Sequence, residues 1–155
     1  MSGTPTRKPC IAIEIAPNPQ FLSLLRRFAG CMARELNLSE EEALQLELCL
    51  DEACANSIEG TLLKQGKFDG SCIRIELRIQ TDALEITVRD CGDDFTSAFQ
   101  KARALHEFTD RTRKRGYGLQ IIKTFMDRVH YRYDPEKGNE LRFIKFITNR
   151  RTPSR

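Results

Sequence analysis

Residues 47–60 read ELCLDEACANSIEG and are the most informative stretch of this sequence. They lie in a helix predicted from Ser39 to about Gly60, whose apolar residues cover most of its circumference and indicate a central, largely buried helix. Glu52 and Asn56 are four residues apart and share one helix face. Burying a carboxylate and an amide is unfavourable unless both have partners. The pair is therefore either a base beside a metal ligand or part of a partly exposed last helical turn.

The segments before this stretch predict one strand and two helix starts. Ser39 and Glu42 form a capping box that begins the long helix. Residues 10–15 alternate apolar and other side chains, which predicts a strand. An Asn-Pro pair at residues 18–19 is typical of a helix start, and that helix is expected to run over 19–36.

After the long helix, residues 72–79 and 84–89 alternate apolar with mainly charged residues and predict a hairpin with one buried face. The second strand leads into Asp90, Cys91 and Gly92. An aspartate followed two residues later by glycine makes a tight turn that points one carboxylate above the sheet. Alone, this pattern most often marks an ordinary turn.

A third notable segment, residues 114–123, reads KRGYGLQIIK. Glycines directly before a helix let the backbone approach a phosphate, and the helix N-terminus offers free N–H groups and positive potential. The spacing is not that of a Walker A motif. A glycine-rich helix entry without a ligand is consistent with the same residues.

The order of elements predicts the fold class. Residues 91–115 have no stable period and are expected to form a long loop, and 129–133 and 141–147 to form two strands joined by a turn. Two hairpins predict an α/β sandwich with a mixed, mainly antiparallel sheet and helices on one face. A chain of 155 residues is expected to be one domain. Its ends, 1–9 and 149–155, are expected to be disordered tails.

Composition excludes several classes of protein. The chain is 40% hydrophobic and 30% charged, as ordinary globular proteins are. No run approaches the roughly 20 apolar residues of a membrane-spanning helix, and the first residues lack a secretory signal pattern. The net charge of +3 is too small to indicate direct nucleic-acid binding. We therefore expect a cytoplasmic protein that binds neither membranes nor nucleic acid.

Six cysteines are present, and no two have the C-x-x-C spacing typical of zinc or redox sites. A cytoplasmic chain keeps its thiols reduced. We expect the cysteines to be small buried hydrophobic residues, with Cys91 as the one candidate for an exposed thiol.

Taken in order, the three segments resemble the GHKL (Bergerat) ATP-binding fold, in its anti-sigma-factor serine kinase branch of the RsbW and SpoIIAB type. Residues 52–56 resemble the N box, 90–92 the G1 box, and 115–123 the G2 box. The resemblance spans about residues 10–147. Three ordered motifs are far more specific than any one of them.

The resemblance implies a role for each motif residue. Glu52 is the general base that acts on the acceptor serine, and Asn56 holds the Mg²⁺ that bridges the phosphates of ATP. Asp90 accepts the adenine amino hydrogen, and Gly92 lets the base lie close to the backbone. Further residues contact phosphates or add positive charge there: Arg115, Gly116, Gly118 and Leu119. Counting back from Glu52 puts the family's partner-binding arginine at Arg26, beside Arg27.

The resemblance also implies a function. The protein is expected to be an ATP-dependent protein-serine kinase and an anti-sigma factor, to sequester a sigma factor, to phosphorylate a STAS-domain anti-anti-sigma factor, and to be a homodimer. Two alternatives stay open, a non-catalytic nucleotide-gated binding module and a switch kinase that activates a regulatory phosphatase. The sequence departs from the family by lacking a histidine after Asn56 and by carrying Asp94. This extra carboxylate near the nucleotide weakens ATP binding or engages a metal if it points into the site.

Overall fold

The structure, a computed structural model, describes residues 10–65, 73–94 and 118–148. Its five strands form one sheet in the order β1-β2-β3-β5-β4, and every pairing is antiparallel. Three α-helices pack on one face of the sheet around a shared core, which confirms the predicted α/β sandwich. The elements are β1 Cys10–Ile15, a 3-10 helix Pro19–Phe21, α1 Leu22–Glu35, α2 Glu40–Gln65, β2 Ile73–Ile79, β3 Ala83–Asp90, α3 Gly118–Phe125, β4 Arg128–Asp134 and β5 Gly138–Phe146.

Alternation along β2 and β3 produces the two faces of the sheet. On the helix side, Ile75 lies opposite Val88 and Leu77 opposite Ile86, and all four are buried. On the other side β2 carries Arg74, Glu76 and Arg78. A period of two therefore separates the core from the solvent-facing surface, as the sequence predicts.

Helix α2 begins with the predicted capping box. The Glu42 amide donates to Ser39 Oγ over 3.2 Å, and the Ser39 amide donates to Glu42 Oε2 over 2.8 Å. The helix continues to Gln65, so the predicted end near Gly60 is wrong by five residues. Leucines and a lysine follow Gly60 and favour helix. Gly92 packs closely against this part of the helix, because a Cβ on Gly92 would stand 2.9 Å from the Gly60 carbonyl carbon.

The prediction that α2 is largely buried is only half correct. One side of the helix is fully buried through Leu46, Leu50 and Ala53. Leu44 and Leu48, on the opposite side, are 60% and 39% exposed. Helix α2 packs against α1, α3 and the sheet, so its remaining side faces solvent. It is central within the helix layer and not within the whole molecule.

The last hairpin differs from the prediction at its turn. Strand β5 begins at Gly138, three residues before the predicted start at Leu141. Gly138 has φ +84°, which favours glycine, and a Cβ here would collide with the Asp90 carbonyl oxygen. The glycine that looks like a turn residue in the sequence therefore brings β5 against the end of β3, where Asn139 pairs with Asp90.

Three of the five described cysteines are exposed, which corrects the expectation that Cys91 alone is. Cys10 lies on the edge strand β1 and Cys31 on the outer side of α1. Cys49 and Cys54 are buried, as predicted. Burial raises the pKa of the Cys49 thiol to about 12 and also raises the pKa of Cys54. These two thiols therefore stay protonated and act as core residues.

Parts of the prediction fall on segments outside the described residues. These are the tails 1–9 and 149–155, Cys72 at the start of a predicted strand, and the loop 91–115 beyond Asp94. In the described ranges, every helix is too short or too polar to cross a bilayer.

An ion-pair cluster covers the face of the sheet opposite the helices. Glu76 lies within 3.3 Å of three guanidinium groups, those of Arg74, Arg78 and Arg89. Its pKa falls from 4.5 to about 2, mainly because of the hydrogen bond from Arg74. Glu76 is 8% exposed, so the surrounding arginines determine its charge state.

We expect Glu76→Gln to lower the free energy of unfolding by about 1–2 kcal/mol at pH 7, since the arginine partners are themselves partly exposed. The folded pKa of Glu76 lies below its unfolded value. Its contribution is therefore complete above about pH 4.5 and is lost as the pH falls towards 2. Urea unfolding of both proteins from pH 7 to pH 2.5 measures this. A difference that stays constant with pH, or an equal loss in Glu85→Gln on the same face, would contradict it.

Candidate functional site

Glu52 and Asn56 lie together against the first residue of α3. A Cβ on Gly118 would stand 2.8 Å from Glu52 Oε2 and 2.9 Å from Asn56 Nδ2. Only a glycine lets the start of α3 come this close to both side chains. Asn56 and Gly118, which are 62 residues apart in sequence and belong to two different motifs, therefore meet in space.

The start of α3 adds backbone donors to this carboxylate and amide. The helix runs for eight residues from Gly118, and the first amides of a helix have no partner within it. Leu119 is half-buried and packs against the core, while Ile122 is fully buried. Packing thus fixes the helix with its N-terminus beside Glu52 and Asn56, an arrangement that suits an anionic group such as a phosphate.

Asp90 forms the second half of the site, at the end of β3. The residue is 2% exposed. Its Oδ1 atom accepts hydrogen bonds from the Gly92 amide over 2.8 Å and from Asn139 Nδ2 over 2.9 Å, and Ser57 also hydrogen-bonds to the carboxylate. Its Oδ2 atom is buried with no hydrogen-bond partner among the described residues. A buried acceptor in this state fits a ligand that brings an N–H donor.

Electrostatics at Asp90 reflect two opposing effects. Burial raises the pKa of the carboxyl above its ordinary value, while the hydrogen bonds from Asn139, Ser57 and Gly92 oppose that rise. Donors on Oδ1 therefore support the ionised form, in which Oδ2 is an acceptor only.

Helix α2 connects the two halves. Asn56 faces Gly118, the next residue Ser57 reaches Asp90, and Lys64 near the helix end pairs with Asp93 over 3.7 Å. One continuous helix therefore sets the distance between two halves of the site, the half formed by Glu52, Asn56 and the start of α3 and the half formed by Asp90.

Several predicted residues stand apart from this arrangement. Arg26 and Arg27 are exposed on α1, and Arg26 forms an ion pair of 3.0 Å with Asp51, the neighbour of Glu52. Arg26 is on α1, and its partner Asp51 is the residue before Glu52 on α2. The Arg26 side chain remains exposed. Arg115 and Gly116 lie outside the described residues.

Sequence reasoning missed Ser57, Asn139 and Tyr131. The sequence did offer a signal for Ser57, because a polar serine next to Asn56 in a helix predicted to be buried needs a hydrogen-bond partner. Asn139 was assigned to a turn, and its position opposite Asp90 follows from the pairing of β3 with β5, which no local pattern gives. Alternation along its strand predicts that Tyr131 faces inward, but the partners of its hydroxyl depend on the pairing of β3 with β5.

The side chains of the site are compatible with a magnesium ion that is held mainly by the phosphates of a bound substrate. No group of three or more His, Cys, Asp or Glu residues gathers in the described part of the chain, so no all-protein metal cage is present there. Mg²⁺ commonly takes one or two protein oxygens and completes its shell with water and substrate phosphates. An amide at Asn56, beside a helix N-terminus, fits that kind of site.

Comparisons with known proteins agree with this geometry. Residues 15–145 match the family described as "Histidine kinase-like ATPase domain". The chain is 29% identical over 144 residues to the serine-protein kinase RsbW of Listeria innocua, covering 90% of this chain and 88% of that protein. It is 26% identical over 148 residues to the RsbW of Bacillus licheniformis, covering 91% and 88% respectively.

Proposed function

Because the chain belongs to the family of histidine kinase-like ATPase domains, we propose that it is an ATP-dependent protein-serine kinase that acts as an anti-sigma factor. Its substrate is a STAS-domain anti-anti-sigma factor, and its other partner is a sigma factor. Similarity to two serine-protein kinases of the RsbW type along about nine-tenths of the chain supports the kinase activity. The partners follow from the motif resemblance.

One observation carries the proposal: Glu52 and Asn56 lie together at the N-terminus of α3. Phosphoryl transfer needs little covalent help from a protein and depends on positioning and charge stabilisation. A carboxylate, an amide ligand and the first backbone amides of a helix in one place supply those requirements. Asp90, on the same side of α2, supplies an acceptor for a nucleobase.

We assign the transfer step to Glu52. Its carboxylate takes the proton of the acceptor serine hydroxyl as the serine oxygen forms a bond to the γ-phosphorus. The bond between that phosphorus and the bridging oxygen breaks, and ADP leaves with the electron pair. The amides at the start of α3 stabilise the charge on the phosphate oxygens.

Asn56 is the residue proposed to hold Mg²⁺, which neutralises phosphate charge when bound. Asp90 Oδ2 accepts a hydrogen from the adenine amino group. Gly92 lets the chain after Asp90 pack against the Gly60 backbone of α2, and the base is proposed to lie close to the backbone there. These assignments use both halves of the site described above.

Partner binding is proposed to involve Arg26 and Arg27. Both are exposed on α1, and Arg26 touches Asp51, next to Glu52. A phosphorylated serine carries about −1.5 to −2 charge at pH 7, and that change at an interface is enough to release the antagonist. The kinase then returns to the sigma factor. The proposal includes a homodimer and a cytoplasmic location, since sigma factors act there.

We expect calorimetry to detect Mg-ATP binding with a micromolar dissociation constant, and weaker binding when the metal is removed. The Asn56→Ala variant should bind ATP with little dependence on Mg²⁺, because the protein ligand for the metal is gone. Transfer of labelled phosphate to a serine of a STAS-domain protein is the second measurement.

The matched control for Asn56→Ala is Gln45→Ala, an amide on the same helix that bonds Glu41 instead of facing α3. Failure of the unsubstituted protein to bind at millimolar ATP would refute the kinase proposal. Tight binding without any transfer would instead identify a non-catalytic nucleotide-gated module.

A further inference from the structure

A chain of hydrogen bonds runs from Asp90 to Asp94 through two side chains that the proposed mechanism does not use. Asn139 is 2% exposed, and its Nδ2 atom donates both to Asp90 Oδ1 and to the Asp93 carbonyl, each over 2.9 Å. Its Oδ1 atom lies at hydrogen-bond distance from the Tyr131 hydroxyl. The same hydroxyl lies 2.8 Å from Asp94 Oδ1.

The amide of Asn139 has two possible orientations, and only one supports Asp90. With Nδ2 towards Asp90, the amide donates to the carboxylate and its carbonyl oxygen accepts from Tyr131. If the amide turned over, its carbonyl oxygen would face the Asp90 carboxylate, and two acceptors would meet without a proton. A proton donated by Tyr131 to the amide oxygen therefore favours the supporting orientation.

Asp94 opposes that orientation. A phenol has one proton to donate, and two oxygens near this hydroxyl, on Asn139 and on Asp94, are acceptors. Hydrogen bonds to an ionised acceptor are stronger than those to a neutral one. When Tyr131 donates to Asp94, the Asn139 carbonyl loses this donor, and the tyrosine oxygen becomes an acceptor for a reversed amide.

We propose that Tyr131 and Asn139 are positioning residues for nucleobase recognition by Asp90, and that Asp94 weakens recognition by competing for the Tyr131 proton. The inference rests on the proposed function, since it assumes that Asp90 binds a nucleobase. In this proposal Asp94 acts on Asp90 by way of Tyr131 and Asn139, and it does not contact phosphate or metal directly. Its action passes through the tyrosine hydroxyl, which makes it separable by mutation.

The test is a double-mutant cycle on ATP binding, with Tyr131→Phe, Asp94→Asn and both together. We expect Tyr131→Phe to weaken ATP binding about threefold to tenfold, the range for one lost hydrogen bond. Asp94→Asn should strengthen binding about twofold to fivefold, because an amide donates to the tyrosine oxygen and leaves the phenol proton for Asn139. In the Tyr131→Phe background, Asp94→Asn should change binding less than about twofold.

Inosine triphosphate provides a readout that a purely structural role would not move. It carries an oxygen where ATP has the amino group from which Asp90 is proposed to accept a hydrogen bond. The preference for ATP over inosine triphosphate should narrow in Tyr131→Phe and widen in Asp94→Asn. Tyr133→Phe removes a hydroxyl from the same strand and is expected to leave both ligands unaffected, and thermal unfolding confirms that each variant is folded.

The outcomes separate the inference from the proposed function. If the unsubstituted protein does not bind ATP, both fail. If the unsubstituted protein binds ATP but Tyr131→Phe has the same ATP affinity as that protein or as Tyr133→Phe, only the positioning role fails. If Asp94→Asn strengthens binding equally with and without the tyrosine hydroxyl, Asp94 acts directly on the phosphates and the competition is disproved.

Discussion

Replacing Glu52 by alanine is expected to reduce phosphate transfer at least about 10²-fold, within the 10²–10⁴ range that a general base contributes. ATP binding should change little, because the proposed nucleobase acceptor is Asp90 and the proposed metal ligand is Asn56. Packing supports this separation: Glu52 Oε2 lies near the Gly118 backbone, so a smaller side chain leaves α3 room and introduces no clash. Single-turnover transfer of labelled phosphate to a STAS-domain serine, alongside calorimetry with Mg-ATP, measures both quantities.

The control for this variant is Glu41→Ala, which removes an exposed carboxylate from the first turn of the same helix. It should transfer phosphate at the normal rate. Normal transfer by Glu52→Ala would remove Glu52 as the base. Loss of ATP binding together with transfer would show that the glutamate shapes the nucleotide site instead.

A second large effect is expected at Asp90, where substitution by asparagine should weaken ATP binding about 10- to 150-fold, equivalent to about 1.5–3 kcal/mol for a hydrogen bond to a charged group. The geometry explains the direction. The Gly92 amide and Asn139 Nδ2 both donate to Oδ1, so an asparagine must keep its oxygen there. Its NH₂ group then takes the place of Oδ2 and meets the adenine amino group donor to donor.

This reversal of polarity gives a sharper measurement than loss of affinity alone. Inosine triphosphate offers an acceptor at the same position, so Asp90→Asn should bind it better relative to ATP than the unsubstituted protein does. The Asp93→Asn variant, changed at an exposed neighbour, serves as the control and should keep the original preference. An unchanged ATP dissociation constant in Asp90→Asn would exclude this carboxylate from the site.

Local patterns predicted most of the elements and part of the site. Alternation identified the strands of both hairpins, and the Ser39–Glu42 pair marked the start of α2, because these signals depend on neighbouring residues alone. The approach of Glu52 and Asn56 to Gly118 agrees with the spatial proximity that the ordered motifs imply. The roles of those residues are still predictions that the experiments above address.

The features that were missed depend on contacts distant in sequence. Gly60 on α2 lies against Gly92 at the end of β3, a contact between residues distant in sequence that helix propensity cannot indicate. Asn139 belongs to the site because β5 pairs with β3 and not only with β4. Exposure of Cys10 and Cys31 follows from an edge strand and an outer helix face, which composition does not reveal.

Neighbouring residues of helix α2 face two different parts of the molecule. Asp51 holds Arg26 on the accessible surface of α1, and Glu52 lies against the start of α3. From Glu52 to Lys64, twelve residues at about 1.5 Å each, the helix is a rod about 18 Å long without a joint. If a bound nucleotide turned that rod about its axis, Asp51 and its ion pair with Arg26 would turn with it. The proposed nucleotide and partner sites therefore share one rigid helix, so we expect occupation of one site to alter affinity at the other.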